Sequence, residues 1–388
     1  MGRKYLLLIC GVLFSLLIRT FFVLNGSEVG DIHTLQEMGE ITLKGQNPYL
    51  LLNYNSYPPL ALYLEIITLK LSYFFNIPFY ILIKIWPNLA DFLTSLIIFK
   101  FLIKKGVDHF SASIWSLVFL LNPISILISS AHGQIDSIPN LLVIIAAVIL
   151  QLKVSKKTIY TSALLLGLAS SIKPNPLVLL PIFFVFIYKK TNFLEKLVFI
   201  FFTFTPLILL LTPFLQSNFQ YISEKLFNYS GSSDFGLLAP LRTHYFYRNA
   251  TYDLPFIDQL LKNSKIIFLI LFGFLVFIFR NSVNIIKLCL ITYLLFLTVY
   301  FGISAQYLSW ILPLAVLQKD KMVVAFTISG MIALLGFYLY FNPAILLVQF
   351  VTIQPYYFPF MLIYAFGNLL LWLTTFLWLV KALLPKRT

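Results

Sequence analysis

The chain reads as a succession of apolar runs separated by short polar breaks. The runs approach the roughly 20 residues that cross a bilayer. They fall at about 4–24, 80–103, 109–130, 137–152, 157–172, 175–189, 195–215, 264–280, 283–301, 305–318, 321–341 and 359–381. Segments such as Phe183–Ile187 and Phe199–Phe202 are apolar without alternation, unlike the strands of a membrane barrel. Backbone polar groups in hydrocarbon have to be satisfied within their own segment, so each run is predicted to be a helix. The pattern predicts an all-α polytopic membrane protein, a single integral domain over 1–388. It has about 12 transmembrane helices and two structured outer loops, 25–79 and 216–263. The first run continues from Tyr5 past Arg19 to Phe22, too long for the core of a signal peptide, and is read as a retained helix.

The stretch from Tyr57 to Phe75 is apolar enough to span, and charge decides against it. If it stays outside, Lys104, Lys105, Lys153, Lys156, Lys157, Lys189, Lys190, Arg280, Lys319, Lys321, Lys386 and Arg387 share the side of Arg3 and Lys4. If it spans, all of those after the first pair move to the opposite face. Short cytoplasmic loops carry the lysine and arginine excess, so the stretch is assigned to the first outer loop and both termini to the cytoplasm. It is expected to lie along the membrane as an amphipathic helix, with Glu65 and Lys70 toward the polar side.

Composition agrees: 60% of the 388 residues are hydrophobic and 11% are charged, where soluble domains carry about 25% charge. The net charge of +14 comes from basic residues that punctuate apolar runs rather than from a soluble basic patch, so nucleic acid is set aside. Cys10 and Cys289 lie in apolar runs and form neither a metal spacing nor a disulfide framework.

With fourteen carboxylates, candidates for chemistry can be found by elimination. Asp108, Glu195 and Asp320 sit in inner loops and read as solvated charge. Asp31 follows the first helix at membrane-surface depth, where a carboxylate beside an apolar cavity can act as a general base; a helix cap fits its position equally well. Asp91 lies within a run, and the structural reading, a buried hydrogen bond, is favoured. Arg19 either snorkels to the headgroups or meets an anionic ligand or Asp31. His132, Gln134 and Asp136 crowd one outer helix end. Capping by Asp136 or Ser137 explains one of these polar residues but not His132 or Gln134. Lys173 breaks the inner-side bias and either snorkels or binds a lipid phosphate as a point charge. Arg242 and His244 in the second loop either grip phosphate or are solvated. Gln306, Tyr307 and Trp310 meet at another outer end, where aromatic residues are common in any case.

Taken together, these segments resemble the GT-C superfamily of membrane glycosyltransferases, which use polyprenyl-phosphate sugars. The resemblance rests on five elements in order: Gly30-Asp31-Ile32; Gly45-Gln46-Asn47-Pro48-Tyr49 with Tyr57-Pro58-Pro59; His132-Gly133-Gln134 with Asp136 and Ser137; Lys173-Pro174; and Gln306-Tyr307 with Trp310 and Pro313. It covers the chain to about residue 315. The loop pattern is most similar to the first mannosyltransferase type of glycosylphosphatidylinositol anchors and its prokaryotic relatives, and the His-Gly-Gln element also resembles dolichyl-phosphate-glucose glucosyltransferases. The mannosyltransferase type often carries a second aspartate two residues after the first, and here that position is His33.

The resemblance implies a GT-C-like bundle and an inverting transfer of a hexose, mannose before glucose, from a polyprenyl-phosphate carrier to an acceptor hydroxyl on the outer or lumenal side. Asp31 is the implied base. Lys173, Arg242, His244 and Arg19 are the candidates for the donor phosphate, and His132, Gln134, Asp136, Tyr57, Gln306, Tyr307 and Trp310 for the pocket. The implied acceptor is a glycan, glycolipid or protein. The sequence supports no cofactor and no divalent metal. The membrane is a prokaryotic plasma membrane or the endoplasmic reticulum. A polytopic transporter or flippase is the alternative reading, against which stands the gathering of polar residues at the outer face rather than mid-membrane.

Overall fold

The computed structural model describes residues 5–26, 30–52, 57–215, 233–241, 244, 255–347 and 357–384, with side chains of 255–258 left aside. The main helices are α1 (Leu6–Asn25), α2 (Gly30–Leu43), α3 (Pro59–Phe75), α4 (Ile85–Lys104), α5 (His109–Leu120), α6 (Ser137–Leu152) and α7 (Lys156–Ser170). They continue with α8 (Leu180–Tyr188), α9 (Phe193–Leu215), α10 (Pro255–Ile278), α11 (Ile285–Val299), α12 (Ile311–Leu317), α13 (Met322–Phe341) and α14 (Phe358–Leu383). Among the described residues the only β pairing is an isolated antiparallel bridge between Phe235 and Ile303.

Every apolar run read from the sequence coincides with helix. Six helical segments among the described residues are long and apolar enough to cross a membrane: Leu6–Asn25, Phe79–Lys104, Phe193–Leu215, Gln259–Ile278, Met322–Phe341 and Phe358–Leu383. A seventh is His109–Leu120 continued by Pro123–His132 across a 43° bend. Ser137–Leu152, Asn175–Tyr188, Ile285–Val299 and Ala305–Leu317 are apolar but shorter, so length alone does not establish twelve spans. Lipid offers no hydrophobic drive between helices, so close contact depends on small residues. In the pair α13–α14, a Cβ on Gly336 would lie 2.5 Å from the Tyr364 backbone, and one on Gly367 2.6 Å from that of Ala333.

The bundle is pinned by one buried ion pair. Arg19 on α1, 1% exposed, meets Asp91 on α4 at 2.8 Å. Its five N–H groups are all used: Nε donates to Ser15 Oγ, Nη1 to Asn88 Oδ1 and Asp91 Oδ2, and Nη2 to the Leu120 carbonyl and Ser125 Oγ. Asp91 Oδ2 also accepts from Ser125 (2.8 Å) and Ser129 (2.7 Å). The structural reading of Asp91 holds, and Arg19 neither snorkels nor keeps a donor for a phosphate. The network clasps the bend after α5. There Asn122 caps a short turn through Pro123, and the chain continues as one turn of π-helix, Leu127–His132. Such wide turns often accompany functional positions.

The segment after α1 is built on α2 and α3. Asn47 Oδ1 accepts from the Tyr49 amide at 3.0 Å. The Tyr49 hydroxyl donates to the Tyr57 carbonyl at 2.7 Å, joining the Asn-Pro-Tyr and Tyr-Pro-Pro elements. The Leu60 amide bonds the Ser171 carbonyl at 2.8 Å. The helix α3 is 17 residues long, and its end is an exposed aromatic cluster, Tyr73, Phe74 and Phe75, suited to a membrane interface. Lys70 is exposed as expected. Glu65 is not: it faces α2 and is 1% exposed. Gly39 makes this possible, because the absent side chain leaves room for Glu65 and Leu69. Both Glu65 oxygens lack a hydrogen bond, and burial pushes the carboxyl well above its ordinary pKa.

Two stability predictions follow from this buried charge. Breaking the buried pair with Arg19→Met is expected to cost about 3–5 kcal/mol, because it strands Asp91. The double variant Arg19→Met, Asp91→Leu should lose less than either single one in thermal unfolding in detergent. Glu65 holds its proton more tightly in the folded chain than in the unfolded one, so its contribution is complete below the ordinary Glu value and declines as pH rises toward the folded value. Glu65→Gln should therefore match wild type near about pH 4 and exceed it near about pH 8. A stability gap that does not widen with pH contradicts this.

Candidate active site

Asp31 lies in the first turn of α2, a few residues of chain beyond the end of α1. Its carboxylate is not spent on capping. Oδ2 receives the Gln134 amide and lies 3.2 Å from His132 Nε2. Among the described residues Oδ1 has no hydrogen bond. The side chain is 52% exposed, while His132 and Gln134 are buried. Desolvation by the surrounding protein raises its pKa. The opposing effects of the His132 hydrogen bond and charge, the Lys173 charge and the Gln134 hydrogen bond outweigh this and hold it below the ordinary value.

The loop that presents these partners is set from both sides. His132 ends the π turn, and its Nδ1 lies 3.0 Å from the Tyr338 hydroxyl on α13, which fixes the ring. Gly133 follows with φ +80°, a left-handed conformation that suits glycine. A Cβ there would lie 2.9 Å from both Ile32 Cδ1 and Lys84 Cγ. Asp136 occupies the cap position of α6 but makes no capping bond. Its carboxylate instead takes Lys173 Nζ through Oδ2 and Trp310 Nε1 through Oδ1 at 3.0 Å. Lys173 Nζ also donates to Gln134 Oε1 at 3.3 Å. Two of its three N–H groups are thus occupied and one remains. A continuous polar chain runs from Tyr338 through His132, Asp31, Gln134, Lys173 and Asp136 to Trp310.

Beside Lys173 is a small cleft of about 60 Å³ lined by Tyr57, Lys173, Pro174, Asn175, Gln306, Tyr307 and Trp310. Lys173 Nζ lies 5.2 Å from the Tyr57 ring centre, and the Tyr307 and Trp310 rings stack at 4.1 Å. Such a platform suits the apolar face of a sugar. The structure thus brings together Asp31, His132, Gln134, Asp136, Lys173, Tyr57, Gln306, Tyr307 and Trp310. It leaves Arg19 in the bundle interior. His244 is exposed and does not line the cleft. Arg242 lies outside the described residues. Among the described residues no group of three His, Cys, Asp or Glu side chains is placed to hold a metal ion.

Sequence reasoning passed over three residues. Asn175, two positions after Lys173, lines the cleft; an amide in so apolar a corner was the available signal. Tyr338 gives no signal, because tyrosine is ordinary in an apolar run. Lys84 is fully buried and its ammonium has no hydrogen-bond partner. It is an interruption near the start of an apolar run, which the charge rule alone does not interpret.

Three comparisons bear on this arrangement. The chain is similar to the ArnT of Cupriavidus metallidurans, solved in the apo state, with 13% identity and a TM-score of 0.49 over 96% of this chain and 76% of that one. The architecture described above stands without it. The chain is 31% identical over 146 residues to the GPI alpha-1,4-mannosyltransferase I catalytic subunit of Danio rerio. That match takes in 38% of this chain and about a third of the relative, 34%. The profile of the family described as GPI transamidase subunit PIG-U matches residues 15–238. This is more than half of the chain and includes Arg19, Asp31, Asp91, the His132–Asp136 loop and Lys173, and on this match the chain belongs to the PIG-U family.

Proposed function

We propose that this protein is an inverting hexosyltransferase of the GT-C type that moves mannose, or failing that glucose, from a polyprenyl-phosphate carrier to an acceptor hydroxyl. Transfer takes place at the outer or lumenal face, in a membrane of endoplasmic-reticulum type or its prokaryotic counterpart. The observation that carries the reading is Asp31: a half-exposed carboxylate with one oxygen held by His132 and Gln134 and the other open. The name of the zebrafish relative favours mannose.

In this reading Asp31 Oδ1 takes the proton of the acceptor hydroxyl. The acceptor oxygen attacks the anomeric carbon from the face opposite the carrier. The bond from that carbon to the phosphate oxygen breaks, and the polyprenyl phosphate leaves with the electron pair. It departs as an anion already stable in water, so it needs countercharge more than a proton. Lys173, with one N–H to spare, supplies countercharge. Its pair with Asp136 and Trp310 holds the ammonium in place before the donor arrives. Tyr307 and Trp310 offer a stacking surface, and Tyr57, Asn175 and Gln306 offer polar contacts. The acceptor is a glycan, glycolipid or protein.

The family description favours a second reading, a membrane subunit that holds a glycolipid for another protein's chemistry. A binding site of that kind gains nothing from a carboxylate beside an anionic carrier lipid. Repulsion between the two would weaken it.

Asp31→Asn keeps the shape and the hydrogen-bonding oxygen. Turnover with polyprenyl-phosphate-mannose should fall by about 10²–10⁴-fold while donor binding to the purified protein persists. Undiminished turnover removes Asp31 as the base, and absence of turnover in wild type with donor binding intact selects the subunit reading. The acid limb of kcat/KM should lie below the ordinary carboxylate range. In Gln134→Leu, where one hydrogen bond to the ionised form is lost, that limb should move to higher pH. A limb that stays in place shows that another group sets it.

A further inference from the structure

A second cavity lies at the opposite end of the same helices. From the outer cleft, α11 and α12 run to the turns at Asn284 and Gln318, a separation of about 20 Å at helical rise. There a cavity of about 720 Å³ is lined by Asn284, Lys287, Gln318, Lys319, Asp320, Lys321, Lys381 and the apolar Leu290, Ala382 and Leu384. Four lysines face one carboxylate. That carboxylate is already committed: Asp320 Oδ2 accepts from Trp378 Nε1 at 2.8 Å, and Oδ1 accepts from the Met322 amide at 3.0 Å with Lys381 at 3.7 Å. Lys287, Lys319 and Lys321 have no side-chain hydrogen bond or ion pair among the described residues. Lys319 also holds a left-handed backbone, φ +53°, uncommon for a residue with a side chain. Asn284 and Gln318 are locked to each other at 3.0 Å and 3.3 Å and give the cavity a rigid polar floor.

We propose that this cavity binds the headgroup of an anionic phospholipid. Lysine ammonium groups act as adaptable point charges on phosphate. Three of them without an acid partner leave a positive field that the protein itself does not neutralise. The rim decides between lipid and soluble phosphate. Leu384 and, one and two turns back along α14, Val380 and Leu377 are exposed, and they lead from the cavity along the lipid-facing side of a spanning helix. A headgroup seated among the lysines has its acyl chains laid on that strip. Basic pockets between membrane helices on the lysine-rich side are suited to such headgroups. The inference does not depend on the activity assigned to the outer site.

The test is native mass spectrometry of the full chain released from phosphatidylcholine nanodiscs doped with phosphatidic acid. Wild type is expected to retain phosphatidic acid over phosphatidylcholine. Retention should fall about fivefold for each of Lys287→Gln, Lys319→Gln and Lys321→Gln, reaching the phosphatidylcholine level in the triple variant. The equal-charge control Lys104→Gln, Lys105→Gln, Lys153→Gln alters lysines outside the cavity and should keep retention. A cavity triple variant that retains as much phosphatidic acid as wild type, or a control that loses as much, overturns the site. Displacement by glycerol 3-phosphate or inorganic phosphate at matched concentration overturns the lipid and assigns a soluble phosphate instead.

Discussion

An arginine in hydrocarbon has to be fully paired or absent, and the end of this protein that carries Asp31 is organised around that requirement. Arg19 cannot reach water, so its planar fork collects five acceptors from α1, α4 and the bend after α5. Each acceptor is a backbone or short side-chain oxygen with little freedom. The guanidinium therefore fixes the relative depth of three elements at once. Two of them carry the site. Asp31 follows α1 by a few residues, and the bend delivers His132 and Gln134. An ion pair of this kind contributes little net stability against an apolar alternative. What it contributes here is registry, and a one-turn slip of α1 against the bend would part Asp31 from its partners by about 5.4 Å.

A second pair, Lys173 with Asp136, works nearer the surface by the same logic but to a different end. Arg19 has no donor left, whereas Lys173 has one. Asp136 is fully buried and holds Lys173 on one oxygen and Trp310 on the other. It thereby ties the cation to the aromatic platform. Between the two pairs lies Asp31, hydrogen-bonded through Oδ2 and half-exposed. Its low pKa follows from this arrangement, since every neighbour it meets is a donor or a cation. On the proposed function, a base that is ionised throughout the neutral range is weak but always available, which suits attack on a carbon whose leaving group is already a good one.

Much of this was legible from residue type and order. The excess of lysine and arginine on one side is the reason for reading Tyr57–Phe75 as part of a loop rather than a span, and the structure forms one helix there, packed on α2. The crowding of polar residues in Ala131–Ser137 marked the site, because in an apolar chain each polar side chain needs a reason. Direction was not legible. Arg19 and Lys173 look alike as cations near outer helix ends, yet one turns into the bundle and the other toward the cleft. Glu65 and Lys70 sit on one helix, and only the gap over Gly39 draws the first inward. The helix period gives a face, but which neighbour covers that face depends on contacts far apart in sequence. The number of spans was equally hidden, because several helices are shorter than their apolar runs suggest.

Among the described residues, Glu65 and Lys84 are buried side chains whose ionisable atoms make no hydrogen bond, and both lie beside elements of the candidate site: Glu65 over Gly39 of α2 and Lys84 under Gly133. A buried group without a partner costs free energy, and a fold under selection for stability alone would distribute or remove such groups. Lys84 shows the arrangement most plainly. Its stem lies under Gly133 and its ammonium stands 3.0 Å from where a Cβ on Gly26 would be, so a side chain at either glycine would collide with it. Two glycines keep clear the surroundings of a cation that makes no hydrogen bond among the described residues. On the proposed function, the end that carries Asp31 is left for a polar, negatively charged molecule to complete, as a sugar on a lipid phosphate would.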